Sequence, residues 1–331
     1  MRRRHVSAAL IIAALAVSVT ACSDEPAGPV TLRLLAYDSF PTEGTPLNDA
    51  LDEWAASTGR TVEIVTAGDT GTMVTKAALT AGNPEADVIW GVDNTWLSAA
   101  TAAGIYEGDP EVADIGDVCV NVDLEWFAER ELPIPTSFDD LTDPDYAGLL
   151  AVQDPTLSSP GLAFLLATIA AKGDAWQEYW TDLRTNDVAV VDSWETAYYE
   201  LFTRAGGDRP LVVSYGSSPP AEVVFADPPR DDAPTGVIEQ TCFRQTEFVG
   251  VLAGTDHPDD AAALVAFLTS PEFQTELPLT LFVYPADPDV ALPQVFTDFA
   301  VVPESPWTVD PAEIDANRQT WQEQWTALMT G

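Results

Sequence analysis

The stretch TLRLLAYDSFPTEGTPLNDALDEWAASTGRTVEIVTAGDTGTMVTKAALTAGNPEADVIWGV (31–92) decides the fold. Its first part, Thr31 to Tyr37, reads as a strand by residue type and ends at Asp38-Ser39-Phe40. Leu47 to Ala56 places apolar residues at 47, 50/51 and 54/55, the spacing of an amphipathic helix, and Thr58-Gly59 stops it. A strand at Val62–Thr66, a helix at Gly71–Ala81 and a strand at Asp87–Val92 complete a βαβαβ unit, with a helix from Thr95 to Ala103 behind it. Strands that alternate with helices in this way predict a mainly parallel sheet with helices on its faces.

Downstream of Gly116 the alternation resumes. Strands are predicted at Val118–Val122, Leu149–Val152, Val188–Val191, Leu211–Ser214 and Phe243–Leu252. Helices are predicted at Leu124–Arg130, Gly161–Ala171, Glu195–Thr203, His257–Thr269, Pro271–Thr275 and Pro311–Met329, with a short one capped by Ser137. No internal repeat or low-complexity run interrupts the pattern. A chain of 331 residues with 46% hydrophobic content can fill two medium cores. An α/β protein of two lobes is expected.

Upstream, Met1 to His5 is basic and Ala8 to Val19 is an apolar run, too short for a bilayer of ~30 Å but suited to a signal peptide. The run ends in Val19-Thr20-Ala21-Cys22, which resembles a bacterial lipobox. Residues 1–21 are therefore read as a leader, Cys22 as the lipidated residue and 22–30 as a polar tether. The alternative is an ordinary secretory signal that ends near a Cys. Without Arg2, Arg3 and Arg4, 11 basic residues face 53 acidic ones, a net charge of −42. Such a body repels phosphate backbones and anionic lipid headgroups, which excludes nucleic acid as a partner and leaves the lipid anchor as the membrane contact. Export also makes Cys119 and Cys242 an even pair in an oxidising space. A disulfide between them would close a loop of roughly 120 residues, worth on the order of 4–5 kcal/mol in the chain-entropy model; two buried free thiols are the alternative.

Ligand groups in α/β folds sit beyond the carboxyl ends of parallel strands. The loops there hold Tyr37-Asp38-Ser39, Asp69-Thr70, Asp93-Asn94, Asp154 to Gly161, Ser193-Trp194 and Tyr215 to Ser218. Aromatic faces attract a delocalised cation, and Asp38, Asp69, Asp93 and Asp154 favour positive charge. The hydroxyls of Ser158-Ser159 and Ser217-Ser218 fall near helix starts, where an anion such as phosphate could be held. Asp69 and Ser158-Ser159 also suit helix caps, and of Trp194 and Tyr198, four apart on a helix, one is expected in the core. Trp321 and Trp325 are expected in the core, and His257 at a helix start. A Ser-His-Asp enzyme would have to use His257 and has no GxSxG elbow, and there is no P-loop or dinucleotide fingerprint. No pair of carboxylates is singled out for glycoside chemistry, no Cys/His cluster for a metal, and no catalytic group is expected.

Taken in order, AYDSF (36–40), ADVIWGVDN (86–94), QDPTLSSPGLAFLL (153–166), DSWETAY (192–198), VVSYGSSP (212–219), FVYP (282–285) and ANRQTWQEQW (316–325) carry a resemblance. The chain is similar to the substrate-binding components of bacterial thiamine ABC importers, within the two-lobed (type II-like) periplasmic binding proteins. That resemblance implies one lobe from 31–117 plus about 243–290, a second from 118–242, and a C-terminal helical segment (291–331) packed on both. It implies thiamine or its phosphates as ligand, a membrane permease and ATPase as partners, a monomer, and no cofactor beyond the transported vitamin. The matching ligand positions are Tyr37, Asp69, Thr70, Ser158, Ser159, Trp194, Tyr215, Gly216, Ser217, Ser218 and Phe282. By the same analogy the aromatics face the pyrimidine and thiazolium rings and the serines face the hydroxyethyl or phosphate end. Two departures stand out: Phe282 replaces an expected Trp and so loses an indole donor, and 106–116 is shorter than the family shows. Related proteins bind ferric ion through tyrosine pairs, but Tyr198-Tyr199 lies in a helical pattern where neighbours diverge by about 100°. Ferric ion, polyamine and phosphonate are the alternative ligands.

Overall fold

The computed structural model describes residues 29–330; the expected leader and Cys22 lie outside them. The chain enters with β1 (Val30–Ala36), β2 (Arg60–Thr66), β3 (Val88–Asp93) and β4 (Glu111–Ile115). It then passes to β5 (Val118–Asp123), β6 (Leu150–Gln153), β7 (Ala189–Val191), β8 (Leu211–Tyr215) and β9 (Thr235–Phe243), and returns with β10 (Thr246–Val251) and β11 (Tyr284–Pro285). Two sheets result: β11-β4-β10-β3-β1-β2 in the first lobe and β7-β6-β8-β5-β9 in the second.

Both sheets are mixed, which corrects the expectation of mainly parallel ones. The parallel parts are β2-β1-β3 and β7-β6-β8. Around the lobe boundary β10 runs antiparallel to β3 and β4, and β5 runs antiparallel to β8 and β9. Parallel neighbours need a long crossover connection. Here β4 passes to β5 through Gly116-Asp117 alone, and β9 to β10 through Arg244-Gln245, so these strands carry the chain from one sheet to the other. The strand expected at Phe243–Leu252 is β10, and the sequence reading missed β9, β4 and the helix Trp176–Thr185.

The two crossings are bound to each other. Arg244 Nε lies 2.6 Å from Asp117 Oδ1, and the Gly116 N–H donates to Gln245 O at 3.3 Å. Just inside the second lobe, Cys119 on β5 and Cys242 on β9 form a disulfide between residues 123 apart in sequence. The tail runs over the same place: Val301 N–H donates to Gly216 O and Trp307 N–H to Cys242 O. The final helix, Pro311–Thr330, then straddles the lobes. Its Trp325 packs edge-on against Trp180 of the second lobe at 5.5 Å, and Arg318 lies over the Trp96 ring of the first at 4.4 Å.

Local sequence explains the elements that aim at the boundary. The helix Thr70–Leu79 starts at Asp69, whose carboxylate accepts from Thr70 N–H at 2.8 Å. The helix Ser159–Lys172 is apolar on every side and is buried from Ser159 to Ile169, as a helix wedged between a sheet and its neighbours must be. One apolar cluster, with Met73, Trp96, Phe164, Trp180 and Trp325, continues across the boundary. A separate cluster of Leu32, Leu34, Trp90 and Phe273 fills the outer side of the first sheet.

Candidate functional site

A cavity of about 590 Å³ opens between the lobes. From the first lobe its wall includes Tyr37, which follows β1. The Tyr37 ring lies over Gly91 of β3, where any Cβ would collide with it, and is braced by Phe40 at 6.1 Å. From the second lobe come Trp194 and Tyr198. The helix that begins at Trp194 widens into a π turn at Ala197–Leu201, a distortion common at functional sites. The two rings stack at 5.1 Å and 20°, and the indole N–H donates to Ser214 Oγ at 3.0 Å. Tyr215, at the end of β8, stands 6.4 Å from the Trp194 ring.

Asp69 joins the lobes. Its Oδ1 caps its own helix while Oδ2 accepts from the Trp194 backbone N–H at 3.1 Å. Burial raises its pKa, opposed by those hydrogen bonds. Two residues on, Gly71 N–H donates to Leu157 O of the second lobe at 2.9 Å. A Cβ on Gly71 would lie 2.7 Å from that carbonyl oxygen, so only glycine permits this approach. At the mouth, Phe225 from the second lobe meets Phe282 from the first at 5.6 Å, edge to face.

Of the sequence-predicted residues, Tyr37, Asp69, Thr70, Trp194, Tyr215, Ser218 and Phe282 line the cavity. Ser158, Ser159, Gly216 and Ser217 lie outside that lining. Ser158 (0% exposed) and Ser159 are sealed where the helix they start meets the Asp69–Gly71 turn. Gly216 is engaged in the boundary itself, donating to Asp117 O and accepting from Val301, and Ser217 is buried beside it. Ser218 holds its own turn, with Oγ accepting from Tyr215 N–H at 3.2 Å and lying 2.9 Å from Ser214 Oγ. Asp93 and Asp154 cap the turns that follow them. Tyr198 is core and wall at once: its hydroxyl donates to Glu222 at 2.8 Å, while Tyr199 is 59% exposed.

The sequence reading missed Glu247, Arg204, Phe225 and Arg230 in the lining. Glu247 sits within β10, where strand alternation conceals a buried acid. Arg204 and Arg230 stand at the rim, each 2.8 Å from Glu125, so their charges are already answered. The floor is acidic, the walls are aromatic, and no cluster of His, Cys, Asp and Glu suited to a metal exists among the described residues. Such a pocket favours a flat cation of small-molecule size.

The model of bacterial extracellular solute-binding proteins matches residues 92–309. The chain belongs to this family. Two curated relatives of this solute-binding protein are thiamine-binding periplasmic proteins. That of Escherichia coli K12 is 28% identical, over 89% of this chain and 92% of its own. That of Brucella suis biovar 1 is 29% identical, over 90% and 91%. A solved periplasmic thiamin binding protein superposes with a TM-score of 0.80 at 25% identity, covering 91% of this chain and 96% of the other. The two-lobed periplasmic-binding-protein architecture expected from the sequence is thus the one observed. No described helix of the solute-binding protein is long and apolar enough to cross a membrane.

Proposed function

We propose that this solute-binding protein captures thiamine outside the cytoplasm and delivers it to an ABC importer. The observation that carries the reading is the cavity between the lobes: Tyr37, Trp194 and Tyr215 offer ring faces above an acidic floor, which suits a cationic thiazolium joined to a pyrimidine. The names of the relatives support it. In this reading the lobes bend about the paired crossings, and the Asp69–Trp194 and Gly71–Leu157 hydrogen bonds form as they close over the vitamin. Solvent is then excluded and the cation–π attraction strengthens. Ligand binding requires no catalytic group. The basic leader ending at Cys22 supports a lipid anchor on the outer face of the membrane, with a monomer docking on its permease.

Thermal unfolding and tryptophan fluorescence of residues 23–331 with thiamine, ferric citrate and putrescine test this. Thiamine at 100 times its Kd stabilises by about 2.7 kcal/mol, roughly 5 °C for a chain of this size. The other two ligands leave Tm unchanged. A folded protein that ignores thiamine overturns the reading.

A further inference from the structure

Three carboxyl groups occupy one rung of the first sheet. Glu247 on β10 is the register partner of Asp93 on β3 and of Asp114 on β4. Opposed residues of a sheet share a face, and like charges there repel. All three are buried, Glu247 at 3% exposure. Asp93 is supported locally, because its Oδ1 accepts from the Thr95 N–H at 2.7 Å, the Thr95 hydroxyl at 2.5 Å and the Trp96 N–H at 3.2 Å. The other two are not. Both oxygens of Asp114 and the Oε2 of Glu247 are buried without a hydrogen-bond partner, while Glu247 Oε1 accepts from Gln245 Nε2 at 3.2 Å.

Glu247 also lines the cavity. The charged and titratable groups that face it are Asp93, Asp114, Asp69 ahead of its helix, Tyr37 beyond β1 and Tyr215 on β8. None is a cation. Arg244 is held by Asp117 at 2.6 Å, and Arg318 lies on the Trp96 ring. Two carboxylates can only accept hydrogen bonds, so a proton between them supplies the donor that both lack and removes one charge. Burial pushes Asp114 up to about 7. Burial first and then the charge of Asp114 raise Glu247 well above the usual carboxylate range.

We propose that Glu247 and Asp114 share one proton in the ligand-free protein and release it to solvent when a monocationic heteroaromatic ligand enters. The O–H bond breaks, the proton passes to water, and the ligand's positive charge takes its place beside the carboxylates. The inference rests on the thiamine reading and adds a counter-ion site to it. A carboxyl group whose folded pKa is raised stabilises the fold at low pH, and that stability is lost as pH rises toward the folded value. The lost term is what a cation restores.

Calorimetric titration of thiamine into the mature protein tests this at pH 5.5, 6.2 and 7, in pairs of buffers with different ionisation heats. The expected result is release of about one proton per thiamine and a Kd that falls about tenfold per pH unit below the pair's titration. Both effects disappear in Glu247→Gln and in Asp114→Asn; either variant suffices if the other does not fold. Binding without proton release, or release that persists in both variants, overturns the proposal. Melting curves without ligand separate the two readings. Wild-type Tm should fall from pH 5.5 to 7 and that of Glu247→Gln should fall less, since Asp93 and Asp117, each raised to about 6, titrate in both. If thiamine fails to bind, the thiamine reading is overturned, and this melting difference supports the shared proton while its absence overturns that too.

Discussion

The indole of Trp194 donates to Ser214 and stacks on Tyr198, while its backbone N–H reaches Asp69 of the facing lobe. Only the first two contacts belong to the side chain, so substitution separates them from lobe closure. Trp194→Ala removes a desolvated ring face and should weaken thiamine binding by about 2 kcal/mol, about 30-fold in Kd by calorimetry. Trp194→Phe keeps a face and loses the hydrogen bond, at a cost of about 1 kcal/mol. Equal losses in both variants would mean that the ring does not face the ligand. The legible part of the site is the part carried by loops: Tyr37, Asp69, Trp194 and Tyr215 are polar or aromatic residues at strand ends, where ligands are met. Glu247 was illegible because it lies inside a strand flanked by Thr246 and Phe248. Ser158 and Ser159 are ambiguous in sequence, because a small hydroxyl at a helix start serves a ligand or a packed boundary equally well, and both are buried here.

Among elements, the strands beside the crossings carry the most constraint. The Cys119–Cys242 disulfide ties β5 to β9 within one lobe and spans 123 residues. Its removal by Cys119→Ser with Cys242→Ser should destabilise by about 4–5 kcal/mol in the chain-entropy model, on the order of 8 °C in Tm. Because both cysteines lie outside the cavity lining, Kd for thiamine well below the melting range should change less than about twofold, within half a kcal/mol. A large loss of affinity would show that the disulfide also sets the bend between lobes. The βαβαβ unit was readable because its periods are regular. β4 was not, since Glu111 to Ile115 places the charged Asp114 on a buried face, an exception to strand patterning that follows from its place in the acid rung. The helix Trp176–Thr185 was readable and overlooked: Trp176, Tyr179, Trp180 and Leu183 mark its buried side.

For the whole molecule the decisive event is the meeting of the two lobes, and Gly71 controls how near they come. Gly71→Ala would put a Cβ 2.7 Å from the Leu157 carbonyl and from Trp96 Cζ2. A ring can shift, but a backbone carbonyl retreats only with its lobe. Thiamine affinity should therefore fall at least tenfold, about 1.4 kcal/mol, while the ligand-free Tm holds, since alanine suits a helix better than glycine. Small-angle scattering checks the cause: thiamine should contract the wild type and leave Gly71→Ala extended. Contraction in both would place the approach elsewhere. The order of strands has one more consequence. Every strand of the second sheet comes from one unbroken stretch, 118–243, whereas β10 must enter between β3 and β4 to finish the first. A chain arriving from its amino end can thus complete the second lobe while the first still waits for residues beyond 246. Pulse-labelled hydrogen exchange during refolding should find β5, β6 and β8 protected before β3 and β4. The earlier segment of the chain becomes native last, leaving a half-built sheet exposed to chaperones or proteases until its missing strand arrives.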